Sequence, residues 1–179
     1  MIKVTRLGAD WKTVLRVARI TQNRPDIGKE PSEDWKKKLI LSRHSPLRMI
    51  EFLIEGEAAG FVLNHVARHS YQSPQPFIGT AREDITGVER PPDTAIRPFA
   101  LYINADALIE MCEQRACFKA HADTMMLVHE IITEVSYVEP FLAEVLKFTP
   151  CEKTGICREF TPCFYDDIKD RKAWENLWK

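Results

Sequence analysis

The stretch from Ala105 to Val138 contains neither glycine nor proline, and it constrains the fold of this chain more than any other feature. Leu108, Cys112, Val128, Ile132 and Val135 recur along it at spacings that suit a helix with one apolar face. The pattern predicts one long helix or two abutting helices. Asn104 stands in front as a natural N-cap, because its side-chain oxygen can accept a bond from a free N–H of the first turn. Pro140 stops the run, and a shorter helix is predicted over Phe141–Phe148.

Such helices need an apolar partner surface, and the rest of the chain offers strands. Ile50 to Glu57 sets Ile50, Phe52 and Ile54 on one face against Glu51 and Glu55 on the other, the alternation of a half-buried strand. Met1–Leu7 alternates in the same way, and Phe99–Ile103 reads as a third, short strand. Asp10 opens a helix carrying Trp11, Val14, Leu15 and Ala18 at helical spacing. Ser32 caps another with Trp35 and Leu39 on one face and Lys36, Lys37 and Lys38 around it, which reads as a solvated face. From Ala58 onward, Phe61, Val62 and Val66 fit a helix that runs toward Arg68 and His69. Gln72 to Pro98 holds five of the eleven prolines and reads as a long loop, a feature that is usually functional inside a compact domain. The expected class is α+β, an antiparallel sheet packed with long helices.

With 179 residues the chain is the size of one domain, taken as 1–179 with a cysteine-containing tail from about residue 150. Its 25 Lys and Arg are balanced by 26 Asp and Glu, so no global field attracts nucleic acid and an anionic partner must be held locally. No apolar run approaches the roughly 20 residues that span a bilayer, and Met1–Gly8 lacks the pattern of a signal peptide. A cytoplasmic protein with reduced thiols is expected.

The densest polar cluster is Asn64, His65, Arg68, His69, Ser70, Gln72 and Ser73, at a helix end and the start of the loop. Arginine and histidine placed there can hold phosphate through charge-assisted bonds, or can be a solvated helix terminus whose cations complement the dipole. His65 and His69, four apart, share a helix face, but Val66 stands where the zinc-protease pattern requires glutamate. Cys151, Cys157 and Cys163, evenly spaced, could supply three ligands of a structural zinc site or form a disulfide, but they lack the close pairing of a zinc knuckle; a plain reduced tail is as good a reading, and no metal is claimed. Cys112 and Cys117 read as small core residues. Arg115, about three turns after Asn104, is either an ion-paired structural residue or a substrate anchor. No glycine-rich dinucleotide or phosphate loop is present, nor a nucleophile elbow.

The order of several short segments resembles the flavin-dependent thymidylate synthase family. These are Val17-Ala18-Arg19-Ile20-Thr21, Ser45-Pro46, Arg68-His69-Ser70, Thr80-Ala81-Arg82, and Tyr102-Ile103-Asn104-Ala105-Asp106-Ala107-Leu108 leading to Arg115-Ala116. Arg68 and His69 match the first two residues of the family signature, with Ser70 in place of its second arginine. Thr80 and Arg82 match its final serine and arginine if the loop has gained two residues. Asn104 matches a flavin-contacting asparagine, and Ser45 a flavin-contacting Ser or Thr. Asp106 stands where an arginine is usual, Glu110 where an asparagine is usual, and Arg48-Met49 where Glu-His is usual. His65 takes the place of a glutamine in the nucleotide pocket. The mid-chain segment that in the family supplies another nucleotide-binding arginine is reduced to Gly87–Pro98, where Arg90 or Arg97 are the substitutes.

The resemblance implies a homotetramer with FAD bound where subunits meet. It implies methylation of dUMP or a related uridine nucleotide, with methylenetetrahydrofolate supplying the carbon and NADPH the electrons. It assigns catalysis to Arg115. Cofactor binding falls to Ser45, Arg68, His69, Ser70 and Asn104, and substrate binding to His65, Thr80, Arg82 and Arg115. A binding protein of the same fold without turnover is the alternative. On this alignment, Ser70 and Asp106 remove two positive charges and add a negative one beside the cofactor.

Overall fold

The computed structural model describes residues 1–69, 75–155, 157 and 159–160. Four strands form one antiparallel sheet in the order β1 (Lys3–Gly8), β2 (Ile50–Ala59), β4 (Ile96–Asn104), β3 (Gln75–Ile78). The centre is the β2–β4 pair, in register from Glu51 opposite Asn104 to Ala59 opposite Ile96. Alternation puts Ile50, Phe52 and Ile54 of β2 and Phe99, Leu101 and Ile103 of β4 into the core. β1 enters that arrangement through Gly8, whose φ of +73° and contact with the Met49 carbonyl leave no room for a β-carbon.

The helices are α1 (Trp11–Ile20), α2 (Glu33–Leu41), α3 (Gly60–Ala67), α4 (Glu83–Thr86), α5 (Ala105–Arg115), α6 (Ala122–Val138), α7 (Pro140–Leu146) and α8 (Pro150–Thr154). Each of the three expected caps is in place: Asp10 accepts from the Thr13 N–H at 2.7 Å, Ser32 from Trp35 at 3.3 Å and Asn104 from Ala107 at 2.9 Å. The glycine- and proline-free stretch resolves into two helices, α5 and α6, parted by a turn over 116–121. Pro140 starts α7 rather than merely ending α6, since a first-turn residue needs no N–H partner.

Three other expectations are corrected. Gln72–Pro98 is not one long loop: it contains β3, α4 and the first residues of β4. Pro76 fits there because β3 is an edge strand, where a missing N–H costs no ladder bond on its open side. Ala58 and Ala59 belong to β2, so α3 begins at Gly60. The lysine run is only partly a solvated face, because the Lys36 and Lys37 ammonium groups lie over the rings of Trp11 and Phe141, at 5.4 and 5.2 Å from their centroids.

One buried charge ties the layers together. Glu139, 4% exposed between α6 and α7, accepts from Arg6 Nε of β1 at 2.6 Å and from Trp11 Nε1 of α1 at 3.1 Å. Removing it leaves a half-buried guanidinium and a buried indole N–H without that partner. Glu139→Ala is expected to destabilise the protein by about 2–4 kcal/mol and Glu139→Gln by less, because the amide oxygen can still take one of the two bonds. Urea unfolding of both variants reads this, and a loss under about 0.5 kcal/mol for the alanine variant would show that the contact is incidental.

Candidate functional site

Two helices leave the central strand pair from opposite ends. α3 follows β2 directly at Gly60 and ends with Arg68 as its C-cap, next to His69; α5 follows β4 at Ala105 and ends at Arg115. At 1.5 Å per residue α3, of 8 residues, covers roughly 12 Å and α5, of 11, roughly 17 Å, against roughly 27 Å for the paired strands. Their C-terminal ends therefore meet, and Arg115 Nε donates to His69 Nε2 at 2.7 Å.

That bond fixes the protonation of His69. An N–H donor on Arg115 needs a lone pair on Nε2, so the imidazole is neutral and its proton sits on Nδ1. Burial, followed by the charge of Arg115, lowers the His69 pKa to about 4. His69 is consequently a hydrogen-bonding group and not a second cation. Burial and the nearby Arg68 also lower the pKa of Arg115, while the charge of Glu159 acts the other way; the guanidinium stays charged. Among the described residues no ion pair involves Arg115.

Arg115 lines a cavity of about 770 Å³ between α5, the turn after it, the Ser45–Met49 3₁₀ turn and α8. Its wall is charged in pairs. Asp106, in the first turn of α5 and 3% exposed, receives Arg43 Nε at 2.7 Å and Arg48 Nε at 3.1 Å. Glu113 receives the Lys153 ammonium of α8 at 2.6 Å, and both side chains are largely buried. Burial lowers the Lys153 pKa and the Glu113 contact opposes that shift. Glu110, Lys119 and Glu159 also face the cavity, as do Cys117, Cys151 and Cys157.

The sequence-derived site residues divide into groups. Arg115 and His69 are in contact, and Arg68 lies close enough to perturb Arg115. Asn104 spends its side-chain oxygen on the α5 cap. Ser45 is exposed on the 3₁₀ turn that carries Arg48. His65 meets the buried Thr124 hydroxyl of α6 through Nδ1 at 2.8 Å and sits in a ring cluster with Phe61 and His121; burial, then Arg115, lowers its pKa. Thr80 and Arg82 do not line the cavity: Thr80 accepts from the Arg82 N–H, and Arg82 pairs with Asp84 of α4. Arg97 packs over Gly60 beside Asp93, and Arg90 is exposed; neither lines the cavity. Ser70 and Cys163 lie outside the described residues.

Sequence reasoning missed the Arg43–Asp106–Arg48 cluster, whose members are 63 and 58 positions apart. One signal was available: Arg43 follows the C-cap of α2, a place that favours glycine or asparagine, and it has a φ of 48°. The negative charge expected from Asp106 is corrected accordingly, because two arginines neutralise it. Cys112 is a core residue as expected, with burial raising its pKa to about 12, whereas Cys117 lies beyond the end of α5 and faces the cavity. Among the described residues no group of three or more His, Cys, Asp and Glu is placed to hold a metal, and no helix is long and apolar enough to cross a membrane.

No family model and no curated protein matches the chain by sequence. Solved structures do match it in three dimensions. A UMP/dUMP methylase, PolB from Streptomyces cacaoi, bound with 5-Br dUMP, is 15% identical over 81% of this chain and 94% of its own, with a TM-score of 0.63. Thymidylate Synthase X from Helicobacter pylori, with FAD and dUMP, is 14% identical over 82% of this chain and 99% of its own, with a TM-score of 0.65. The likeness spans almost the whole of both neighbours. The chain has the α+β fold of the flavin-dependent thymidylate synthases.

Proposed function

We propose that the protein methylates dUMP or a related uridine nucleotide in the cavity beside Arg115. It would use FAD, methylenetetrahydrofolate and NADPH, and act as a cytoplasmic homotetramer. One observation carries the reading: a guanidinium without a carboxylate partner among the described residues, oriented by a neutral imidazole, opens on a large cavity. The structural neighbours crystallised with dUMP, a brominated dUMP and FAD support the choice of ligands.

The donor set fits a phosphate-bearing cofactor. Two of the four carboxylates on the wall are already neutralised, Asp106 by Arg43 and Arg48 and Glu113 by Lys153, while Arg115 and Lys119 add positive charge. Arg48 and Lys119, which line the cavity, are the residues that would hold the phosphates there; Arg68, Ser45 and Asn104, also expected at the cofactor, are not among its lining residues. FAD, when bound, supplies the hydride chemistry of such a reaction.

The chain's own contribution is orientation and charge. Arg115 spends one N–H on His69, and the four on its terminal nitrogens, which bond to no other described residue, are available to a pyrimidine edge. Beside the ring it stabilises negative charge as that charge develops, which raises the nucleophilicity of the reacting carbon. His69 positions Arg115 and keeps an Nδ1 proton for a hydrogen bond. No cysteine nucleophile is needed, consistent with a buried Cys112 whose thiol resists ionisation.

Purified protein is expected to show flavin absorbance or to acquire it when loaded with FAD. A colourless protein that cannot be loaded excludes the flavoenzyme and leaves the binding-protein alternative. Arg115→Ala should abolish methylation while FAD stays bound, a loss of at least 10²-fold in kcat for a preorganised charge of this kind. Unchanged turnover in that variant would remove Arg115 from the mechanism.

The pH dependence follows from His69. Its folded pKa lies below the ordinary histidine value of 6.5, so between about 4 and 6.5 the unfolded chain binds more protons than the folded one. This group therefore makes stability rise with pH across that window, and the contribution is lost as pH falls through it. Imidazole NMR should show His69 neutral at pH 6 in the wild type and titrating closer to 6.5 in Arg115→Ala. A charged His69 at pH 6 in the wild type would contradict the Arg115 bond.

A further inference from the structure

Asp106 is a buried carboxylate, and such a group needs compensation. It receives more than one charge's worth. Arg43 binds it twice, through Nε to Oδ1 at 2.7 Å and through a terminal nitrogen to the backbone carbonyl at 3.1 Å. The remaining reach of Arg43 goes to acids as well, with Glu110 and Glu113 each at 3.9 Å. Arg43 is thus shared among three carboxylates, and it reaches them from a left-handed backbone conformation that disfavours any residue with a β-carbon, a strain that the surrounding contacts must offset.

Arg48 is the second cation on Asp106 and is held less fully. It touches Asp106 through Nε alone, at 3.1 Å, and its side chain is 59% exposed on the cavity wall. Among the described residues neither of its terminal nitrogens is hydrogen-bonded. Holding an arginine by Nε fixes the plane of the guanidinium and leaves a two-pronged edge, which is the geometry that grips a phosphate group bidentately. With Glu110 and Glu113 beside Arg43, and Lys153 on Glu113, the charges of this wall balance, so what Arg48 offers a phosphate is its open edge and not an excess of charge.

We propose that the Arg43–Asp106–Arg48 cluster is a phosphate clamp: Arg43 neutralises Asp106, Asp106 orients Arg48, and the terminal nitrogens of Arg48 take a phosphate of the ligand in the cavity. Arg48 is the binding residue, and Arg43 and Asp106 are positioning residues. The proposal deepens the methylase reading, whose cavity it shares, but requires only a phosphate group, which a flavin dinucleotide or a nucleotide monophosphate would supply.

The test follows the rate at which phenylglyoxal modifies Arg48, read by peptide mass spectrometry, in the full-length protein at constant ionic strength. Inorganic pyrophosphate should slow it by about tenfold or more, as expected for a charged hydrogen-bonded contact. FAD but not riboflavin should protect if the phosphate is the flavin's; dUMP but not deoxyuridine should protect if it is the nucleotide's. Arg48→Gln should weaken binding of the protective ligand by about 10–100-fold and leave its phosphate-free counterpart unchanged. Protection by pyrophosphate with none from FAD or dUMP keeps the clamp and overturns the methylase. Binding of FAD or dUMP by calorimetry, with Arg48 modified at its unprotected rate throughout, overturns the clamp and keeps the methylase. No binding and no protection overturns both.

Discussion

The antiparallel pairing of β2 with β4 decides where His69 and Arg115 meet in this protein. Because the two strands run in opposite directions, the helices that follow them start at opposite ends of the pair and travel toward each other. His69 and Arg115, 46 positions apart in sequence, meet because α3 and α5 are each about half as long as the strands beneath them. Core packing fixes the register, since a slip of one residue would turn Phe52, Ile54, Leu101 and Ile103 out of the core. The stability of the sheet is thus also the precision of the site.

Local signals in the sequence translated well. Asp10, Ser32 and Asn104 cap the helices they announce, because a cap is a contact between residues three apart. The strand centred on Phe52 was visible from alternation alone. What failed was punctuation. Five prolines between Gln72 and Pro98 concealed an edge strand, where proline is tolerated, and the start of a central one. Lys36 and Lys37 showed no pattern that reveals an aromatic ring beneath each ammonium, since both rings come from elements distant in sequence.

The site was legible in its cations and illegible in its pairing. Arg115, Arg68 and His69 could be singled out as residues, but which of them is charged depends on contact. His69 becomes neutral because Arg115 is adjacent and water is partly excluded, and neither condition is written in the order of residues. Asp106 shows the same dependence with opposite sign. Read alone it is an unpaired acid; in the fold it lies between Arg43 and Arg48, and its charge is compensated.

Alignment by position therefore misjudges this cavity. The resemblance sets Asp106 where an arginine is usual and Arg48 within a segment where an acid is usual, and taken separately both changes look damaging. In three dimensions they are one exchange across a contact of 3.1 Å between the 3₁₀ turn and the first turn of α5. A phosphate responds to the field at its own position, which depends on distance and burial and not on which element bears the charge. An exchange of acid and base between neighbouring elements can then leave the field nearly intact, while moving the hydrogen-bonding edge by the length of one side chain.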